Sequence, residues 1–368
     1  MSRAREFADL AGSADAGGIT GKNLIINGAL KIHQRGNQTT SNGYSIYFVD
    51  RFNVYTSAAS AVANLQQSTD TPTGQGFANS LLVDVTTADT SISASEIIVL
   101  RQILEGQNLQ QLKYGTSSAE SVTLSFWVKS PKTGVHICEL WHFTSPVRTQ
   151  SQSYTVSAAN TWEKHSVTFS GDTTTALDND NNYTIAVQWG LFAGTDYTSG
   201  TLATAWQDSG NANRYVGQQN FFDSTSNNFY LTGVQLEVGE QATPFEHRSF
   251  GDELARCQRY YTVIADGSEA APSTFGMGSM YNSINVYGSL KLPTEMRTGP
   301  TLDATTGTNY YLFYRNNTSD GFNSVTLSIS QRAAIEFYNQ TEISGTAGHS
   351  GFFRTGNVSA KIALTAEL

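Results

Sequence analysis

Charged side chains are scarce. Asp, Glu, Lys and Arg make up 14% of the chain, against about 25% in an ordinary soluble domain. Ser, Thr, Asn and Gln fill the deficit, and a neutral polar surface suits sugars or other subunits as partners. The charge that is present has the wrong sign for nucleic acid. Lys and Arg number 22 against 31 Asp and Glu, a net charge of −9, whereas nucleic acid requires a basic footprint. No run of Lys and Arg marks an anionic membrane surface, and no stretch approaches the roughly 20 apolar residues of a membrane span. The opening MSRAREFADL lacks the apolar core of a signal peptide. The expectation is therefore synthesis in a cytoplasm without membrane insertion or secretion. The sequons at Asn37, Asn182 and Asn357 are then accidents of an Asn- and Thr-rich chain. Cysteine is nearly missing, so a disulfide framework is excluded. Cys138 and Cys257 read as buried free thiols, one in a strand and one on a buried helix face.

Catalytic signatures are also missing. No period of 20 to 50 residues occurs, which excludes β-helices, propellers and solenoids. Gly348-His349-Ser350-Gly351 departs from the G-x-S-x-G of a nucleophile elbow. The six histidines make no zinc spacing, and His136, Cys138 and His142 read as strand packing before they read as metal ligands. Glu237, Glu240 and Glu246 could pair for glycoside hydrolysis, but a strand end and its turn favour solvated carboxylates. Asp178-Asn179-Asp180-Asn181-Asn182 begins like a calcium loop. Its sixth position is Tyr183, where Gly is needed, and its twelfth is Trp189, where Glu is needed. A polar turn between strands is the main reading. The alternative is a structural calcium on Asp178 and Asp180, and no other cofactor is expected.

What is present indicates β structure. The chain has 368 residues, 39% of them hydrophobic, with 32 Gly, enough for a core and more than one domain. Alternation marks strands at Val122 to Val128, Val167 to Phe169, Tyr183 to Trp189 and Phe229 to Val238, then at Ile284 to Leu292, Tyr310 to Arg315, Val325 to Ile329 and Val358 to Leu364. In Phe229 to Val238 the even-numbered residues Tyr230 to Val238 are expected on one face and the odd-numbered ones on the other. Ser95 to Leu112 reads as a helix at the sandwich edge. Ser249 with Asp252 reads as a capping box opening a helix, whose face Leu254, Cys257 and Tyr261 is expected to be buried. Ala4, Phe7, Ala8 and Ala11 give a short helix over residues 3 to 11, and Ser13 to Gly21 is a linker by composition. The aromatics, 5 Trp, 17 Tyr and 19 Phe, are the remaining functional signal, because sugars stack on rings. Phe126, Phe169 and Trp189 read as core. Trp206, Tyr215, Tyr310 and Tyr311 stand in polar loops, and Trp206 reads first as a plug of the sandwich end.

These residues also carry a resemblance. GVQLEVGEQATPFEHR followed by ELARCQRYY resembles a junction in tail-fibre and related appendage proteins of marine tailed bacteriophages. NLIINGALKIHQRG from Asn23 to Gly36 resembles their opening strand, and Asp50-Arg51-Phe52 the motif that follows. LSFWVKSPKTG and TWEKHSVTFSGD resemble their middle strands. The resemblance covers roughly residues 23 to 261 and is poor beyond. It implies a mostly β chain: an anchoring segment at residues 1 to 22, a jelly-roll sandwich like those of carbohydrate-binding modules at 23 to 249, a connecting helix at 250 to 261, and a smaller β-sandwich tip at 262 to 368. It implies a non-enzymatic virion protein, a tail fibre or tail-associated appendage that contacts a host surface glycan. The partners implied are two further copies, in a homotrimer meeting near the Cys257 helix, and another virion protein docked through residues 1 to 22. Tyr311, Tyr314 and Arg315, in the variable unit, are the candidate glycan contacts, with Trp206 behind them. A capsid-mounted fibre or decoration protein, and a polysaccharide depolymerase or esterase, are the rival readings.

Overall fold

The computed structural model describes residues 21–41, 43–57, 60–340 and 342–368. The helix expected at residues 3 to 11 lies outside them. The chain forms two compact units, one ending at Glu253 and the other spanning Leu254–Glu367. The helix Phe250–Gln258 carries the division. It opens as the capping box requires, with the Asp252 backbone N–H donating to Ser249 Oγ at 3.2 Å. Cys257 and Tyr261 are buried within the chain, so neither side chain is available to a trimer axis.

The first unit is a β-sandwich of jelly-roll type. One sheet has six strands, in spatial order Gln38–Thr39, Val62–Ser68, Ser80–Thr87, Asn228–Val238, Val122–Lys129 and Glu163–Phe169. The facing sheet has seven: Gln207–Asp208, Arg148–Val156, Gly134–His142, Tyr183–Ala193, Ile97–Glu105, Phe52–Ser57 and Ser45–Tyr47. Every pairing is antiparallel. Alternate residues meet between the sheets, Leu65, Val83, Phe126 and Leu231 from the first against Val54, Leu100, Cys138, Val187 and Trp189 from the second. Phe126 sets its ring edge-to-face on Trp189 at 5.7 Å and on Tyr154 at 5.1 Å, the geometry that aromatic quadrupoles favour.

Three local expectations fail, each for a physical reason. Ser95 to Leu112 is not a helix: Ile97–Glu105 is a strand, followed by two 3₁₀ turns. It lies between Tyr183–Ala193 and Phe52–Ser57, and a strand covered on both faces is a continuous apolar run that imitates a buried helix. Asn23 to Gly36 is not a strand. Asn27 at φ 60° and Leu30 at φ 53° break the pleat, and Asn27 Nδ2 instead donates to the Ile32 and Asp50 carbonyls. The strand Asn228–Val238 does not keep one face. Between Thr232 and Gln235 it carries a bulge against Trp127 and Ser125, and Gly233 supplies φ 60° there. Phe229 and Leu231 enter the core before the bulge, and Val234 and Leu236 after it.

The second unit packs a three-stranded sheet, ordered Tyr261–Asp266, Lys361–Thr365, Thr301–Ala304, with a seven-stranded one. The latter runs Thr318–Phe322, Tyr311–Arg315, Ser350–Thr355, Thr274–Met280, Asn285–Lys291, Ala334–Gln340, Thr326–Ser330. Phe275, Phe313, Phe337 and Phe353 centre its core with Ile362 and Leu364.

Candidate functional site

The glycan-contact candidates of the second unit do not assemble into a surface. Tyr311 is fully buried in the core, and its hydroxyl donates to the Thr305 carbonyl at 2.6 Å. It has no ring face to offer a ligand. The register puts it opposite Phe322 and Thr355, which the expected strand Tyr310 to Arg315 could not show without its partners. Arg315 Nη2 is bonded to Asp320 and the Ser344 carbonyl. Tyr314 is half-buried, with the Arg354 guanidinium 4.3 Å from its ring centroid. In the first unit, Trp206 packs against the core beside Tyr114 at 5.8 Å and donates its indole N–H to the Ser170 carbonyl at 2.6 Å.

The other candidates are held by local bonds. Asp178 accepts from Thr144 Oγ1, and Asp180 from Asn182. Among the described residues no group of three or more His, Cys, Asp or Glu is arranged to hold a metal. His136, Cys138 and His142 all face the core of their strand. His136 stacks on Tyr154 at 5.5 Å, and burial keeps both histidines below the usual imidazole pKa. Glu237 is not solvated: it is buried and accepts from Gln235 Nε2 and from the Thr243 N–H and hydroxyl. Glu246 accepts from the Asn23 N–H at 2.8 Å.

A different arrangement stands on the outer face of the seven-stranded sheet of the first unit. Strand Gly134–His142 sends Cys138 and Leu140 inward, so Glu139 and Trp141 face out. In the same way Ile97–Glu105 presents Val99 and Arg101, Phe52–Ser57 presents Tyr55, and Tyr183–Ala193 presents Gln188. The segment after residue 193 folds back over this face. Its Ala203 carbonyl accepts from the Ser151 N–H at 2.7 Å, and its Tyr215 N–H donates to the Tyr197 carbonyl at 2.9 Å.

One buried carboxylate fastens that segment. Glu139 has no exposed surface, yet it accepts from Arg214 Nε at 2.7 Å and Nη2 at 2.8 Å, Tyr215 Oη at 2.6 Å, Thr149 Oγ1 at 2.6 Å and Gln188 Nε2 at 3.1 Å. A buried charge with this many donors is compensated. Burial alone would weaken the Arg214 proton, but the Glu139 charge outweighs it and holds the guanidinium charged. Burial, reinforced by that carboxylate, pushes the Tyr215 hydroxyl well above its usual range. The Arg214 guanidinium then lies 3.7 Å from the Trp141 ring centroid, a cation–π contact that fixes both.

Beside this clamp lies an open cleft of about 190 Å³, lined by Tyr55, Arg101, Trp141, Phe143, Gln188, Tyr197 and Arg214. Its aromatic side chains are half-buried. A second cleft, of about 520 Å³, opens on the outer face of the six-stranded sheet. There Phe77, Phe245 and His247 pack on one another at 4.9 to 5.5 Å, which uses their rings internally. The first cleft thus combines half-buried aromatic rings with planar polar groups, and sequence reading missed it. Strand alternation was the available signal for Trp141; the continuous apolar run Ile97–Glu105 offers none for Arg101. None existed for Glu139 with Arg214, which are 75 residues apart.

No protein-family model and no curated protein matches the chain. Among solved structures the chain is similar to tailspike protein 4 of bacteriophage CBA120 (its enzymatically active domain), at 10% identity and TM-score 0.29, covering 59% of this chain and 22% of that one. It is similar to a family 61 carbohydrate-binding module in complex with β-1,4-galactotriose, at 8% identity and TM-score 0.29, covering 59% and 99%. It is also similar to the N-terminal cellulose-binding domain of Cellulomonas fimi β-1,4-glucanase C, at 12% identity and TM-score 0.29, covering 58% and 95%.

Proposed function

We propose that this protein is a non-catalytic saccharide-binding component of a phage virion, a tail fibre or tail-associated appendage that contacts glycans on the host surface. The observation that carries the saccharide reading is the cleft of Tyr55, Trp141, Tyr197, Arg101, Arg214 and Gln188 on the outer sheet face. Sugar rings present apolar faces that stack on aromatics and hydroxyls that pair with planar, fixed polar groups. Here the Glu139 network fixes Arg214 and Gln188 before any ligand arrives, which lowers the ordering cost of binding. The site favoured by geometry therefore lies in the first unit, and not on residues 262 to 368. The virion setting is supported by the motif resemblance over residues 23 to 261. Docking through residues 1 to 22 and assembly as a homotrimer belong to the same proposal. A glycan array probed with the full chain tests the saccharide reading: wild type binds a defined subset, and Trp141→Ala loses at least roughly tenfold in affinity, the order expected when one stacking ring is removed. Absence of any bound glycan would sink it. Immunogold labelling of intact particles tests the setting, with label on the tail expected and label on the capsid favouring a decoration protein. Light scattering tests the trimer, and a stable monomer would refute it.

A further inference from the structure

Among the described residues, the cleft holds one cation, Arg101, that no carboxylate pairs. Arg101 projects from the strand Ile97–Glu105 into it. Its Nε donates to Asn53 Oδ1 at 3.0 Å, its Nη2 donates to Ser45 Oγ at 2.7 Å, and its guanidinium lies 4.7 Å from the Tyr55 ring centroid. All three partners are neutral. Among the described residues no carboxylate pairs with Arg101, and its Nη1 has no partner. Burial works against the Arg101 charge. The buried carboxylate beside the cleft, Glu139, is already claimed by Arg214. Asp196 stands exposed on the turn beside Tyr197. A partly buried guanidinium with a free edge, held by neutral partners over an aromatic ring, is a receptor for an oxyanion.

Resting on the saccharide reading of this cleft, we infer that its ligand is an acidic glycan, in which Arg101 pairs with a carboxylate or sulfate on a sugar ring that Tyr55 and Trp141 flank. The neutral polar groups position the ring, and the anion supplies the selectivity. A neutral sugar in the same place leaves Arg101 desolvated without a counter-charge, which penalises it.

The test uses the full chain and the glycans that bind it on the array. Acidic polysaccharides should dominate. Reducing their carboxylates to primary alcohols, or desulfating them, should weaken binding at least roughly tenfold, as loss of a charge-assisted bond does. The two treatments separate carboxylate from sulfate. Arg101→Gln should bind the untreated glycan as weakly as wild type binds the treated one, and should show no further loss on treatment. Arg101→Lys, which keeps the charge, should retain part of the preference. Unfolding midpoints close to wild type for both variants would show the fold intact, and if Arg101→Gln unfolds, the treated-glycan comparison on wild type decides alone. Bound glycans that are neutral, or treated glycans that bind as well as untreated ones, overturn this inference and leave the saccharide reading standing. An array with no bound glycan overturns both.

Discussion

Replacing Arg214 by Met should destabilise the first unit sharply, and more than replacing Arg214 and Glu139 together. Met keeps an apolar stem but removes the guanidinium that lies over Trp141, and with it two donors to a carboxylate with no exposed surface. Breaking a buried ion pair from one side costs about 3–5 kcal/mol, because the surviving charge is stranded. Glu139 would keep Tyr215, Thr149 and Gln188 as donors, so the low end, about 3 kcal/mol, is the working figure. Changing Glu139 to Gln as well removes the stranded charge and should recover roughly 1–2 kcal/mol. Urea unfolding followed by tryptophan fluorescence is the assay. All five tryptophans, at 127, 141, 162, 189 and 206, lie before Glu253, so the signal reports the first unit alone and avoids a mixed transition of two units. With a slope of about 3 kcal/mol per M, the single variant's midpoint should fall by about 1 M. A midpoint within roughly 0.2 M of wild type, or a double variant no better than the single one, would refute the view that Glu139 depends on Arg214 for its burial.

Three further outcomes follow from the same structure. Tyr311→Ala should cost about 3–5 kcal/mol, since a buried ring is deleted and two carbonyls lose its hydroxyl; hydrogen exchange should rise in peptides after Leu254 while glycan binding and the fluorescence midpoint stay put. Gly233→Ala should lower the thermal midpoint, because a Cβ there would sit 2.7 Å from the Phe77 ring at φ +60°, a strain of about 1–3 kcal/mol; an unchanged midpoint would count against the bulge. Acid should weaken the first unit early. Burial holds His136, His142 and His165 below the usual imidazole value in the folded state, so the unfolded chain binds more protons once pH drops below about 6.5. Stability is then full above that pH and is lost as pH falls toward the depressed folded values, and the triple His→Gln variant should flatten the dependence measured by urea midpoints from pH 7 to 5.

Local and compositional features could be read from the residues alone. A period of two needs only neighbouring residues, so the strands at Val122, Tyr183 and Asn228 were legible. So was the helix at Phe250, because a capping box closes within four residues. The net charge of −9 set the expectation against a nucleic-acid partner without any fold. The remaining features depend on residues far apart in the chain, because a strand makes no hydrogen bonds within itself and takes its partners from distant segments. Ile97–Glu105 is a strand because Tyr183–Ala193 and Phe52–Ser57 flank it, and its residues alone fit a buried helix as well. The bulge at Gly233 is defined against Trp127 and Ser125, and it moves the buried face of a strand whose alternation looked unbroken. Tyr311 is core because its neighbours in space cover it. The cleft is the furthest from local reading: Tyr55, Arg101, Trp141, Gln188 and Arg214 come from separate segments. Arg214 reaches them because a carboxylate 75 residues away compensates the charge that its burial would otherwise strand.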